Sequence, residues 1–478
     1  MGTTQVEKTL SSEMGVEQKL VRHLVQCRIE DIPPETIRRQ KLFFADTIGV
    51  AAGGVGAPGV QPVIDMIVET GGRPESSLLR RKQKVPSLLA TLGNTFMANA
   101  LDFDDMHEEA GIHANVCVIP AALAVAEKIG GVDGKAILTA VVCGVDLACR
   151  MGVSIPLLRG WHATTTFGIF GAATAACKIL GLDEEATANA FGIAYSQAAG
   201  NRQGRLEGTL TKRLQVALAA QSGVLAALLA SRGLTGPKNF LEGDWGMLNL
   251  YTDREQKERR LAASDSLLKD LGKRFLGDEL SMKPYPTCKA THTPIQNTIE
   301  LMRQHSLTPE DVEEVLVLIS NGAYQTAGRP FVIRTDPQVD AQFSIPYTVA
   351  TAVLTGNIGL EDLKEETVRD NRRMEMTKRI KVAVDPELAE PSTNVVNLSS
   401  TVWIKARGRD YVMASRISKG HPENPMTVEE IFSKFLYCCR YGLARMPADK
   451  VRKFFNTIMS MEEVEDGSVF IRMLNEGG

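Results

Sequence analysis

The sequence predicts a mainly α protein: a large all-helical domain built from both ends of the chain, with a smaller α+β lid domain inserted into it. Three observations carry this expectation. The first half reads as helix after helix, the texture changes to alternating apolar runs beyond the charged stretch Asp253 to Arg260, and helical periodicity returns after Pro422. The shifts put the first part of the helical domain at 10–271, the lid at 272–418 and the C-terminal part of the helical domain at 419–478.

Each element has a local reason. Pro33-Pro34 opens a helix whose Ile37, Phe44 and Ile48 share a stripe, and Pro120 opens another through Leu123, Val125 and Ile129 that stops at Gly130-Gly131. Ala163 to Leu180 and Leu214 to Ala230 are dense in Ala, Gly, Thr and Ser with few charges. Helices of that composition approach neighbours closely on all sides and mark the centre of the helical domain. Val315, Val317 and Ile319 alternate in one strand and Ile380, Val382 and Val384 in another, while Thr401 to Ala406 and Tyr411 to Ile417 form a hairpin across Arg407-Gly408-Arg409-Asp410. Helical stretches near Phe343 to Leu354 and Leu360 to Arg373 fill the interval, and the last segment sets Val428, Ile431, Phe432 and Phe435 on one helix face.

Composition narrows the function. A chain of 478 residues, 44% of them hydrophobic, buries a large core without staples. Its 54 Lys+Arg against 57 Asp+Glu give a net charge of -3, so there is no basic footprint for a phosphate backbone and no nucleic-acid partner is expected. Apolar stretches such as Ala121 to Ala126 are cut by charge short of the roughly 20 residues a bilayer crossing needs, so no membrane span is expected. Met1 to Glu7 lacks a basic-then-apolar secretory pattern, and Val6 spoils the myristoylation context of Gly2, which points to the cytoplasm. The eight cysteines are scattered, the near pairs Cys143 with Cys149 and Cys438-Cys439 have no zinc spacing, and buried reduced thiols are expected.

Seven histidines occur, and three regions around them are unlike ordinary core. Asp102 to His113 packs three Asp, two Glu and two His into twelve residues. It reads either as a solvated acidic loop, as a metal site using His107 and His113 with Asp104 or Asp105, or as part of a reaction centre. Arg159-Gly160-Trp161-His162 precedes a small-residue helix, whose positive end disfavours a histidine cation; a ring simply packed beside Trp161 is the plainer alternative. His292 closes a proline-stiffened loop, Lys283-Pro284-Tyr285-Pro286, ahead of a helix begun by Pro294. Lys212-Arg213 stands before the Ala-rich helix, where a solvated helix end competes with a buried cation pair. Together His113, His162 and His292 with the Lys-Arg pair describe a cationic pocket in an acidic protein, suited to a small anion with several carboxylates.

The sequence resembles the MmgE/PrpD family of metal-independent lyases and isomerases, which includes 2-methylcitrate dehydratases, cis-aconitate decarboxylases and an iminodisuccinate epimerase. The resemblance runs through Asp46 with Gly49, Ala100-Leu101-Asp102-Phe103-Asp104-Asp105, His113 with Pro120-Ala121-Ala122, and Gly160-Trp161-His162 before Gly168. It continues through Glu207-Gly208-Thr209 with Lys212-Arg213, Gly236-Pro237 with Leu241-Glu242-Gly243, Lys283-Pro284-Tyr285-Pro286 with Cys288 and His292, and Asn424-Pro425-Met426-Thr427. It implies a helical domain from both chain ends, an inserted lid and an active site in the cleft between them.

The resemblance further implies a homodimeric, cofactor-free and metal-free lyase, with a small di- or tricarboxylate as its partner. Water elimination of the 2-methylcitrate dehydratase kind is the leading expectation, and a cis-aconitate decarboxylase-like or iminodisuccinate epimerase-like activity is the alternative. A carboxylate-binding protein without catalysis is the reading from another class. His113 and His162 are expected to move protons with Asp102 orienting or polarising them, and Lys212, His292 and Arg213 to bind substrate. Met106 stands where family members often carry Thr, and supplies no hydroxyl donor. Ala114-Asn115 stands where Pro-Ser or Pro-Gly is common.

Overall fold

Local chemistry sets the elements that carry the site. Pro34 occupies the first helical position of α1 (Pro34–Gly53), where its missing N–H costs nothing. Then follow α2 (Ser87–Asn99), α3 (Asn115–Ile129), α4 (Gly134–Ser154), α5 (Ala163–Ile179) and α6 (Thr211–Ala230). The computed structural model describes residues 14–81, 83–253, 257–390, 396–443 and 446–476. The N-terminal segment read for targeting, residues 10–13 of the helical region and residues 254–256 of the charged stretch lie outside the described residues. The protein is mostly helical, 58% helix against 9% strand.

α4, α5 and α6 form the middle of the helical part, and backbone contact explains their composition. A Cβ on Gly144 would lie 2.5 Å from the Gly171 carbonyl, and one on Gly171 would lie 2.8 Å from that of Gly144. Two expectations need correction here. Pro120 does not open α3, which begins five residues earlier at Asn115 and holds the proline inside its second turn. α4 and α6, 21 and 20 residues long, are also apolar enough by length and composition to cross a membrane, contrary to the sequence reading. Their apolar windows are 89% and 61% buried within the protein, and a helix apolar all round needs either lipid or other helices about it.

One hydrophobic core gathers side chains from Leu20 to Met282, adds Leu360, and takes its last members from Ile431 to Leu474. A second core lies between Cys288 and Ala406. It packs α7 (His292–Gln304) and α8 (Ile345–Thr355) on a four-stranded sheet. The strands are β1 (Val312–Ile319), β2 (Ile380–Val384), β3 (Ser400–Ala406) and β4 (Arg409–Ser415), in spatial order β2-β1-β3-β4. β1 pairs parallel with β2 and antiparallel with β3. The β3-β4 hairpin is tighter than expected, since Ala406 pairs with Arg409 and only Arg407 and Gly408 turn, both at positive φ. The stretch 360–373 holds only short helices, not one long one. After the sheet the chain returns to the helical part with α9 (Val428–Gly442), entered through a Thr427–Glu430 capping box and packed on α1, where Phe435 meets Gly49, and two more helices, Ala448–Met459 and Val469–Glu476, follow it.

Candidate active site

A cavity of about 90 Å³ opens where the loop after α2, the starts of α5 and α6 and the 283–290 loop converge. Asp102 is its centre. It adopts φ 50°, a left-handed conformation uncommon outside glycine and asparagine, in the turn that ends α2. Its Oδ1 accepts from Lys212 Nζ at 2.5 Å and its Oδ2 from Lys283 Nζ at 2.9 Å, while its backbone carbonyl takes a second bond from Lys283 at 2.7 Å. Burial alone would push the Asp102 pKa up; the two ammonium groups overrule it and hold it well below the usual carboxylate range. Lys212 Nζ also reaches Asn99 Oδ1 at 3.2 Å and sits 5.6 Å from the centre of the Phe343 ring. The loop is braced from the far end of the chain, because Lys434 of α9 donates to the Phe103 carbonyl at 2.7 Å and pairs with Asp46 of α1 at 2.6 Å.

The two cavity histidines are held differently. His113 Nδ1 lies 2.9 Å from Asp104 Oδ2, which also accepts from Asn99 Nδ2 at 3.0 Å. Asp104, which burial would raise, is kept low by the neighbouring His113 and by the lysines, so a carboxylate backs this imidazole. His162 caps the start of α5, and its Nδ1 lies 3.0 Å from Gln215 Nε2. The Gln215 amide is oriented by Asn201, whose N–H donates to Oε1 at 3.0 Å and whose carbonyl accepts from Nε2 at 3.0 Å. His162 Nδ1 is therefore an acceptor, and the ring proton is on Nε2. Burial, then the charges of Lys212, His113, Arg202 and Arg205, push the His162 pKa well below its usual value and keep the ring neutral.

Of the residues expected from sequence, Asp102, His113, His162 and Lys212 line the cavity together. His292 and Arg213 do not. His292 is fully buried at the first turn of α7, its Nε2 is 3.1 Å from the Thr287 carbonyl and its ring packs edge-on against Tyr285. It shapes the 283–292 loop from behind. Arg213 follows Lys212 by one position, and adjacent helical residues point some 100° apart. Its guanidinium donates to the Pro58 carbonyl at 3.0 Å and to Gln338 at 3.3 Å, away from the cavity.

His107, considered as a metal ligand, uses Nδ1 to accept from the Ala110 amide at 3.1 Å and so closes a local turn. Among the described residues, no three His, Cys, Asp or Glu side chains are grouped to hold a metal ion. Met106 and Cys288 line the cavity, whereas Ala114 and Asn115 are buried at the start of α3, where Asn115 accepts from Gln40 at 2.6 Å.

Sequence reasoning missed Lys283, Lys289, Arg202, Arg205, Glu108 and Gln215 as cavity residues. Lys283 and Lys289 flank a loop the sequence singled out for its histidine, so the cations were in view but ranked below it. Glu108 accepts from Ser281 at 2.6 Å and pairs with Lys289 at 3.2 Å. The lining thus sets five cations, Lys212, Lys283, Lys289, Arg202 and Arg205, against two carboxylates, Asp102 and Glu108.

Residues 18–260 match the MmgE/PrpD N-terminal domain and residues 285–458 the MmgE/PrpD C-terminal domain. The chain belongs to the MmgE/PrpD family. Among its relatives, cis-aconitate decarboxylase of Mus musculus is 25% identical over 464 residues, covering 94% of this chain and 91% of that one. Cis-aconitate decarboxylase of Aspergillus terreus (strain NIH 2624 / FGSC A1156) is 24% identical over 485 residues, covering 97% of each. The cis-aconitate decarboxylase-like protein oryM of Aspergillus oryzae (strain ATCC 42149 / RIB 40) is 23% identical over 484 residues, covering 97% of this chain and 98% of that one.

Proposed function

We propose that this protein is a lyase acting on a small tricarboxylate, with release of carbon dioxide as its reaction. The observation that carries the reading is the surplus of three positive charges, five cations against two carboxylates, around a cavity that also holds two histidines with different partners. A trianion neutralises that surplus. The relatives named as cis-aconitate decarboxylases support the choice of reaction.

The chemistry fits the groups present. When a β,γ-unsaturated carboxylate loses carbon dioxide, the C–C bond to the departing group breaks and its electron pair forms a new double bond. The former π pair moves to the carbon beside another carboxylate, where a proton must arrive. Lys212 and Lys283 stabilise the negative charge as it spreads onto that carboxylate. His162, neutral with its proton on Nε2, donates a hydrogen bond to the same oxygens without titrating. His113 delivers the proton, with the Asp104 carboxylate 2.9 Å from Nδ1 fixing the orientation of the ring. We place the α+β region over this cavity as an inserted lid, contributing Phe343, Val396 and Leu398 to an apolar wall that keeps water from the intermediate.

Water elimination from 2-methylcitrate or citrate is the second reading, favoured by the same His113–Asp104 pair acting as a base. Incubating the pure protein with cis-aconitate, citrate, 2-methylcitrate and iminodisuccinate, with proton NMR of the products and trapping of released carbon dioxide, decides between them. Carbon dioxide from cis-aconitate alone supports the first reading, and dehydration of a hydroxy acid without gas release replaces it with the second. Turnover of none of the four ends both.

A further inference from the structure

Arg202 and Arg205 differ from the lysines of the cavity in one respect. Lys212 and Lys283 share Asp102, and Lys289 has Glu108, but among the described residues no carboxylate lies within ion-pair distance of either arginine. Arg205 Nε is buried without a hydrogen-bond partner. Burial lowers the pKa of Arg205, and burial together with Arg205 and Arg159 lowers that of Arg202 to about 10, which still leaves both charged at neutral pH. Holding a cation half-buried without an anion is costly, and the folded chain does so at both Arg202 and Arg205 in the lining of one cavity.

Mobility of the loop does not account for it, because the loop is braced. The Arg202 amide donates to the Gly160 carbonyl at 2.9 Å. On the other side the carbonyls of Leu206, Glu207 and Gly208 accept from Arg334, from Thr335 Oγ1 at 2.9 Å and from the Asp336 amide at 3.1 Å. Gly208 adopts φ 68°, and a Cβ there would meet Asp340 Oδ1 at 2.3 Å, so only glycine lets the loop lie against that segment. Arg205 also has a defined place relative to Lys212. Arg205 Cζ lies 6.0 Å and Lys212 Nζ 5.6 Å from the centre of one ring, that of Phe343.

We propose that Arg202 and Arg205 form a carboxylate clamp for the end of the ligand remote from the Lys212–Asp102–Lys283 group, so that the cavity selects polycarboxylates with an anion at both ends. The inference rests on the reading of the cavity as a polycarboxylate site and names the residues that measure the ligand's length and charge. A guanidinium presents a planar fork that matches a carboxylate, which is the reason for arginine here and lysine at the reacting end.

Binding, without turnover, tests it. Propane-1,2,3-tricarboxylate has neither a double bond nor a hydroxyl group to react, and 2-ethylbutanedioate keeps its skeleton with one terminal carboxylate replaced by methyl. Isothermal titration calorimetry on wild-type protein should show the tricarboxylate binding at least about tenfold tighter, since a charge-assisted bidentate contact contributes roughly 1.5–3 kcal/mol. Arg205→Gln and Arg202→Gln should each lose most of that preference while binding of 2-ethylbutanedioate changes less than about twofold, and Arg205→Lys should recover part of it. Thermal melts check that the variants fold, and Arg205→Lys, which keeps the charge, serves where a glutamine variant does not.

Equal loss of both ligands in the variants overturns the clamp, as does an unchanged preference for the tricarboxylate. Inorganic phosphate that binds through the arginines without displacing the tricarboxylate also overturns it, in favour of a separate anion site. Arginine-dependent selection in a protein that turns over nothing ends the lyase reading and leaves the clamp standing.

Discussion

Arg150, buried in the last turns of α4, and Arg205, half-buried in the short helix Gln203–Leu206 beside the cavity, are both cations held inside the fold, and their surroundings differ. Arg150 Nε donates to Asp146 at 2.6 Å, and its remaining N–H groups reach the carbonyls of Lys269 at 2.7 Å and of Leu267 and Asp270 at 3.5 Å, as well as that of Arg274. Asp146 in turn accepts from the Leu276 amide at 2.7 Å. This arginine is saturated by its own chain and ties the 267–276 segment to α4. Arg205 has an aromatic face and no anion. A saturated buried cation is part of the scaffold, while an unsaturated one held by a braced segment is what motivates the proposed carboxylate clamp.

The comparison breaks most readily at Arg150. Arg150→Met should cost about 3–5 kcal/mol of unfolding free energy, because it leaves Asp146 buried beside empty donors' positions. Urea unfolding would measure it, and a variant as stable as the wild type would remove the distinction between the two arginines. Next in size is Lys212→Met, expected to keep the fold because Asp102 retains Lys283. It should lower kcat/KM by roughly 3 kcal/mol, about two orders of magnitude, the range seen for one preorganised electrostatic contact. Lys212→Arg should also be poor, since a planar fork replaces a compact ammonium against Asp102. Near-normal activity of Lys212→Met would reduce this lysine to a scaffold cation like Arg150.

A third test uses pH. His107 is a scaffold histidine whose pKa burial lowers from 6.5 to about 4. The folded state holds it neutral while the unfolded chain binds a proton below 6.5, so its contribution is fully present above that pH and is lost as pH falls towards 4. Unfolding free energy against pH should therefore be less steep for His107→Gln than for the wild type between pH 6.5 and 4, by up to one proton's worth. Parallel curves would mean the ring is not buried neutral. Smallest is Arg303→Ala, at an exposed i,i+3 pair with Glu300, where solvent and side-chain entropy offset the attraction. No measurable change in melting temperature is expected, and a clear drop would show that surface arginines here are more than solubilising charge.

The sequence foretold what depends on periodicity and composition. The small-residue helices α5 and α6, the change of texture near residue 260, and the hairpin near 407 all follow from patterns a few residues wide. Four of the six named site residues converge, and each of the four lies on a loop or helix start with odd local chemistry. The failures have one cause. Arg213 and His292 were judged by sequence neighbours, yet a helix turns Arg213 away from Lys212, and the 283–292 loop faces its lysines, not its histidine, to the cavity. Nothing in the local sequence singles out Arg202 and Arg205. What makes them distinctive is the lack of a partner, and that is a property of space. Pro120 misled for a similar reason, since a proline five residues into a helix resembles one at its start until the hydrogen bonds are traced.

Asp102 also bears on time. A bare pair of lysines would grip an arriving carboxylate and release it slowly, which makes product departure the bottleneck for any enzyme with a charged product. Here both ammonium groups already hold a resident anion, fixed by its backbone turn and unable to leave. A ligand carboxylate gains only the attraction that Asp102 has not already taken up. On the proposed reading, residence time at the lysine end of the cavity is set by an internal competitor, and Asp102→Asn, which removes the competing charge, is expected to give a tighter complex with a slower exit.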